Sequence, residues 1–301
     1  LNKQDITRIK TALEKKLEMT FEDLTWYLQQ HIERSSNEIT LHQPLQIESI
    51  ELQEVRKCPR VPLPSSSFKR GKTKADEEFI KEPIIVKYYQ SLIGSLLYIA
   101  RHVRPELSYG VNYLARYQTR LTQAKIAQAE AMVMWLKKAK TAKFHIIRDV
   151  EKEHLIEVYT DADFANCEDF GSTSGMAIFY EGCLIDYHSL KQKLTAQSST
   201  EAEIIAAIEA YKRLIYVLKM SSALNLKVKR IIFYIDNKPA IQQIMKEGHT
   251  ARSKYLTVRY NRIRESLKRQ NEAQLKDNTL KIYNEDNSFN EYPGLELQYV
   301  P

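Results

Sequence analysis

Cysteine is scarce in this chain: Cys58, Cys167 and Cys183 are the only three in 301 residues. An odd, widely spaced set argues against a disulfide framework and for a reducing, intracellular compartment, cytoplasm or nucleus. The cysteines also lack metal-ligand spacing, so no zinc site is read from the sequence. Long apolar runs are missing as well. The longest, Leu92 to Ala100, is interrupted by Gly94 and Ser95 and falls far short of the roughly 20 residues a membrane span requires. No signal peptide, internal repeat or extended low-complexity tract is visible, and Leu1 in place of Met points to a piece of a longer product. Neither sign of charge dominates; the net charge of +7 permits a polyanionic partner without requiring one. What remains is 43% hydrophobic and 28% charged, the composition of a folded protein long enough for two domains.

Periodicity divides the chain. Residues 1–19 read as an amphipathic helix with Ile6, Ile9, Leu13 and Leu17 on one face. A hairpin pattern follows, with Trp26, Leu28 and Ile32 before the polar turn Ser35-Ser36-Asn37 and Ile39 and Leu41 after it. Residues 57–78 carry Pro59, Pro62, Pro64, a serine run and the basic stretch Phe68 to Lys74, and read as a linker. Residues 79–150 look helical, in three segments. Beyond Val150 the period turns to alternation. Strands are expected at 154–160, 175–181, 183–188, 231–236 and 279–283, with helices at 201–220, 239–246 and 255–270. Three strands, helix, strand, helix is an α/β layered pattern.

Three acidic sites punctuate it. Asp161 ends the strand-like run Leu155 to Thr160, Asp236 ends Ile231 to Ile235, and Thr200-Glu201-Ala202-Glu203 opens a helix with apolar positions at Ile204, Ile208, Tyr211, Ile215 and Leu218. Carboxylates at strand ends and a helix start can converge, and hard oxygen ligands suit Mg2+ or Mn2+. Two such ions about 3.5 to 4 Å apart would hold the attacking and leaving oxygens of a phosphodiester hydrolysis. Each feature also has a plainer reading: Asp at a strand end caps turns, and Thr-x-x-Glu at 200–203 is a capping box.

The motifs Tyr159-Thr160-Asp161-Ala162-Asp163-Phe164-Ala165, Ser172-Thr173-Ser174-Gly175, Ser189-Leu190-Lys191-Gln192, Ser198-Ser199-Thr200-Glu201-Ala202-Glu203, Asp236-Asn237-Lys238-Pro239-Ala240-Ile241 and Arg259-Tyr260-Asn261-Arg262-Ile263-Arg264-Glu265 resemble, in order, the ribonuclease H domain of copia-type LTR retrotransposon Pol polyproteins. Residues 88–117 resemble the helical segment joining polymerase to nuclease, and residues 1–50, with Trp26-Tyr27-Leu28 and Ile39-Thr40-Leu41, the end of the reverse transcriptase palm. The resemblance implies an α/β fold: a ribonuclease H-like mixed sheet flanked by helices over 151–292, preceded by a palm remnant (1–56), the linker and a helical connection (79–150), and followed by a tail (293–301). It implies that Asp161, Glu203 and Asp236 are catalytic and bind two Mg2+ or Mn2+ ions. Glu203 is preferred to Glu201 because Glu203-Ile204-Ile205-Ala206-Ala207 matches the start of the family's central helix. The implied substrate is an RNA/DNA hybrid.

The segment 252–269 carries Arg252, Lys254, Arg259, Arg262, Arg264, Lys268 and Arg269 against Glu265 alone. Such a helix either tracks a phosphate backbone or is simply solvated. Asn166, Ser199 and Asn237 are candidates for contacts to 2'-hydroxyls; Tyr187 and His188 read as ordinary strand residues. The sequence departs from the family at three points. The polymerase Asp-Asp pair is absent, so no polymerase site is expected in this chain. Asn290 stands where a fourth carboxylate is usual, with Asp286 as a register-slipped substitute, and Lys254-Tyr255-Leu256-Thr257 loses a His and an Asp. A neutral Asn cannot match a carboxylate's charge, which leaves two outcomes: a ribonuclease H, or an inactive retrotransposon-derived module that binds nucleic acid or protein.

Overall fold

The computed structural model describes residues 3–17, 23–54, 58–64, 79–167, 169–246, 260–265, 279–283, 289–293 and 295–300. Helix α1 (Lys3–Glu14) is shorter than expected; Ile9 and Leu13 on its apolar face, and Leu17 beyond its end, remain exposed. Strands β1 (Trp26–Tyr27), β2 (Gln30–Arg34) and β3 (Glu38–His42) form the expected hairpin, its register set by His31 opposite His42 and Arg34 opposite Ile39. Then come α2 (Pro44–Glu48), α3 (Pro83–His102), α4 (Ser108–Ala115) and α5 (Gln123–Lys138), and β4 (Phe144–Ile147) pairs antiparallel with β3. Proline starts α2 and α3 at their first turns, where no donor is lost.

The linker expected at 57–78 does not set 1–56 apart from 79–150. Instead Ile47 and Ile50 share one core with Tyr89, Ile93, Leu96, Leu114, Met132 and Leu136. The described part of the linker, residues 58–64, lies on this core: Leu63 packs against it, and Trp135 Nε1 donates to the Arg60 carbonyl at 3.3 Å. Three prolines are as compatible with an ordered extended crossing as with a tether. The basic run 68–74 lies outside the described residues.

The second core lies under a five-stranded sheet. Strands β5 (Leu155–Asp163), β6 (Thr173–Tyr180) and β7 (Cys183–Lys191) form an antiparallel meander. Its second turn uses Glu181 and Gly182, both at positive φ, the left-handed region that only glycine adopts without strain. Helix α6 (Ser199–Ala223) follows, then β8 (Arg230–Ile235) parallel to β5, and α7 (Lys238–Met245). Residues 260–265 are helical. Strands β9 (Thr279–Tyr283) and β10 (Phe289–Pro293), among the described residues, pair with each other in a two-stranded sheet, and β11 (Leu295–Tyr299) returns parallel to β8. The sheet order is therefore β11-β8-β5-β6-β7.

Two expectations are corrected here. The stretch 293–301 is not a tail, because Leu295, Leu297 and Tyr299 supply the alternation of a strand and Leu295 is fully buried. Strand 279–283, expected as the last of the domain, belongs to a separate hairpin. Helix α6 is apolar on most sides of its first three turns, and Ala202, Ile204, Ala207, Ala210 and Leu214 meet Ile156, Val158, Phe233 and Ile235 of the sheet. Its buried face includes Leu214 at 0% exposure, whereas the expected Ile215 is half-buried.

The two cores touch through α4 and β7. Tyr187 donates its hydroxyl to the Ala100 carbonyl at 2.8 Å, joining β7 to the last turn of α3. Arg116 reaches across to Cys167 Sγ at 2.9 Å and Thr173 Oγ1 at 3.2 Å. Among the described residues no helix is long and apolar enough to cross a membrane.

Candidate metal centre

Asp161 projects near the carboxyl end of β5, Asp236 follows the last residue of the parallel neighbour β8, and Glu203 lies in the first turns of α6. Parallel pairing of Thr160 with Ile235 brings the two aspartates to the same end of the sheet. The three side chains each offer a carboxylate oxygen within 4.8 Å of the others. Asp161 and Asp236 are exposed; Glu203 is 5% exposed.

Glu203 is held from one side only. Its Oε1 accepts from the Ala162 amide at 3.2 Å, while its buried Oε2 has no hydrogen-bond partner. Burial first, then the charges of Asp236 and Asp161, push its pKa up to about 8. Asp236 is also raised, by burial and by Asp161. A buried carboxylate oxygen with no donor, facing two further carboxylates, is what a hard divalent cation satisfies. The residues present therefore fit such an ion.

Glu201, the rejected candidate, has a different task. Ser198 Oγ accepts from the Glu201 amide at 3.1 Å and Glu201 Oε2 accepts from the Gln197 amide at 3.0 Å. The capping box is thus Ser198 to Glu201, not 200–203, and it fixes the helix start that presents Glu203 inward.

The other candidates divide. Asn166 is exposed and donates to Asp163 Oδ2 at 2.8 Å, beside the end of β5. Ser199 is the exposed first residue of α6. Asn237 caps α7, its Oδ1 accepting from the Ala240 amide at 2.8 Å, so its oxygen serves the fold next to Asp236. Arg262 is exposed; Arg252, Lys254 and Arg259 lie outside the described residues. Arg264 turns inward instead: buried, it donates to the Ile244 carbonyl at 2.9 Å and the Gln243 carbonyl at 3.3 Å, closing the end of α7. The side chain of Asn290 is not among those described; its backbone lies in β10 opposite Ile282, and Asp286 falls outside.

Gln192 has a role that its sequence context does not reveal. Its Nε2 donates to Ser174 Oγ at 2.9 Å and to the Ala202 carbonyl at 2.8 Å, tying the end of β7 to the residue before Glu203. Thr160 Oγ1 donates to the Tyr234 carbonyl at 3.3 Å, locking β5 to β8 one residue short of Asp161. Both sit inside quoted motifs, and motif membership was the only available signal.

A sheet of this order, with three parallel strands, a two-strand antiparallel extension and a long helix after the third strand in sequence, is the ribonuclease H-like class of α/β fold. No family model matches the chain. It is similar to retrotransposon Pol polyproteins. It is 31% identical over 180 residues to the retrovirus-related Pol polyprotein from transposon TNT 1-94 of Nicotiana tabacum, covering 60% of this chain and 13% of that protein. To the RE1 Pol polyprotein of Arabidopsis thaliana it is 27% identical over 181 residues, 60% of this chain and 12% of that one. To the Ty1-DR5 Gag-Pol polyprotein of Saccharomyces cerevisiae it is 26% identical over 195 residues, 64% and 11%. The match thus spans 11 to 13% of the length of these relatives. Among solved structures, LC11-RNase H1, isolated from compost by a metagenomic approach, is 16% identical with a TM-score of 0.30, covering 49% of this chain and 85% of that one. Ciona intestinalis endonuclease V, in complex with DNA, is 15% identical with a TM-score of 0.22, covering 48% and 68%.

Proposed function

We propose that the chain is a fragment of a copia-type retrotransposon Pol polyprotein whose ribonuclease H-like domain cuts the RNA strand of RNA/DNA hybrids. The observation that carries this reading is the convergence of Asp161, Glu203 and Asp236 around the partnerless Glu203 Oε2. The six ordered motifs support the copia-type assignment.

In this reading the three carboxylates hold two Mg2+ or Mn2+ ions. Bound there, the ions would supply Lewis acidity, a water of lowered pKa and charge neutralisation at the scissile phosphate. Asp161 and Asp236, both exposed, face the substrate side and orient it; Glu203 anchors from within. The Ala162 amide and the Ser198–Glu201 cap keep the glutamate from swinging away. Asn166 and Ser199 flank the site as hybrid contacts, with Asn237 offering its amide nitrogen; Arg252, Lys254, Arg259 and Arg262 follow the phosphate backbone. Three cysteines, odd in number and widely spaced in the chain, support an intracellular place of action. Residues 1–56 and 79–150 are assigned to the palm remnant and helical connection.

A second reading, binding without cutting, is favoured by one observation: among the described residues the cluster holds three carboxylates and no fourth. Incubation of a labelled RNA/DNA hybrid with the chain in Mg2+, then Mn2+, beside an Asp161→Asn control, separates the two. Metal-dependent cleavage of the RNA strand above the control is the expected result. Equal background from both proteins would leave the binding module.

A further inference from the structure

We propose that His31, Glu33 and His42 form a second metal site, on the β2–β3 hairpin, that takes a first-row transition cation and zinc in particular. The site is independent of the carboxylate centre. Its geometry starts from register. His31 and His42 are direct cross-strand partners, and Glu33 lies two residues beyond His31, so all three side chains stand on one face of the sheet.

Their donor atoms converge. His31 Nδ1 is 2.7 Å from His42 Nε2, and Glu33 Oε1 lies 3.5 Å from the first and 3.3 Å from the second. Two imidazole nitrogens and one carboxylate oxygen are the donor set of three-ligand zinc sites, which leave a position for water. Mixed nitrogen and oxygen ligands suit Zn2+ better than Mg2+, which seeks an all-oxygen shell.

The surroundings hold the ligands in place. Glu33 turns its other oxygen, Oε2, to Lys143 Nζ on the strand-β4 side and to Thr40 Oγ1 at 3.4 Å, which leaves Oε1 aimed at the histidines. A carboxylate fixed through its second oxygen is the usual outer support of a metal ligand. The Trp26 ring, 4.7 Å from the His31 ring, limits that imidazole's rotation. The two ring nitrogens stand 2.7 Å apart; with bonds of about 2.0 to 2.1 Å a tetrahedral ion would spread them to about 3.3 Å, a small rotation for half-buried side chains on a hairpin. Scarce cysteine hid this site from the sequence, because histidines eleven residues apart gain meaning only once the hairpin register is known.

The test is zinc titration of the chelator-treated full chain in an Asp161→Asn/Asp236→Asn background, with Mg2+ in excess, followed by calorimetry and metal content. One equivalent of Zn2+ is expected, with Co2+ giving a tetrahedral absorption band in its place. His42→Ala and, separately, Glu33→Gln should each weaken binding at least tenfold. His145→Ala, which removes a histidine on the same face engaged by Glu38, should leave it unchanged. Far-UV circular dichroism checks each variant's fold, and Glu33→Gln, which keeps the side chain's shape, serves where His42→Ala does not fold. No zinc bound, unchanged affinity in Glu33→Gln and His42→Ala, or equal loss in His145→Ala would overturn the proposal, the last by revealing only general chelation by surface histidines.

Discussion

Glu203 carries a proton at neutral pH when no cation is near, since burial and two neighbouring aspartates raise its pKa to about 8. In the unfolded chain the same group titrates near 4.5. The folded state therefore binds the extra proton between these values, and stability is present below pH 4.5 and lost as pH rises through 8. Glu203→Gln should relieve that loss. In cation-free buffer the variant should gain on the order of 3 kcal/mol over the parent at pH 9 relative to pH 5, read by urea unfolding; equal pH slopes would refute it. Conversely, a divalent ion must displace this proton, so its affinity should climb between pH 6 and pH 8 and flatten above, which calorimetry in two buffers detects as proton release. Asp161, Glu203 and Asp236 were legible in the sequence because strand ends and a helix start are themselves legible. Arg264 was not: charge pattern alone placed it with the phosphate-binding cations, and only tertiary packing shows it serving the carbonyls that end α7.

At the scale of elements, the joints around α6 decide how well the site is held. Gln192→Ala removes two hydrogen bonds from a residue 8% exposed. It should cost about 1 to 3 kcal/mol and weaken divalent-ion binding, whereas Ser199→Ala at the exposed start of the helix should do neither. Leu214→Ala, in the fully packed seam, should cost about 2 to 5 kcal/mol in the same unfolding assay. Arg230 grips Glu296 with bonds of 2.7 and 2.6 Å across β8 and β11, yet both side chains are substantially exposed. Arg230→Ala should therefore cost no more than about 1 kcal/mol, and a larger loss would mean that β11 depends on this pair. Strands β5 to β8 were visible from alternation and β-branched content. Strand β11 was not, for Pro293 and Gly294 punctuate the chain just before Leu-Glu-Leu-Gln-Tyr, and its burial follows from a partner, β8, that is distant in sequence.

For the molecule as a whole, the division into segments was the least legible feature, because prolines mark an irregular chain path without saying whether it packs. The order of synthesis gives one structural detail a further meaning. Strand β4 completes the sheet begun by β3, and the contact of His145 with Glu38 joins residues 107 apart. While a ribosome is still producing α3 to α5, the outer edge of β3 has its backbone donors and acceptors unsatisfied, and an unpaired edge invites another chain. A nascent chain arrested before residue 144 should thus be cleaved by protease within the β2–β3 hairpin more readily than one released after residue 147, in which β4 covers that edge, which makes four residues of β4 the latch of the amino-terminal half.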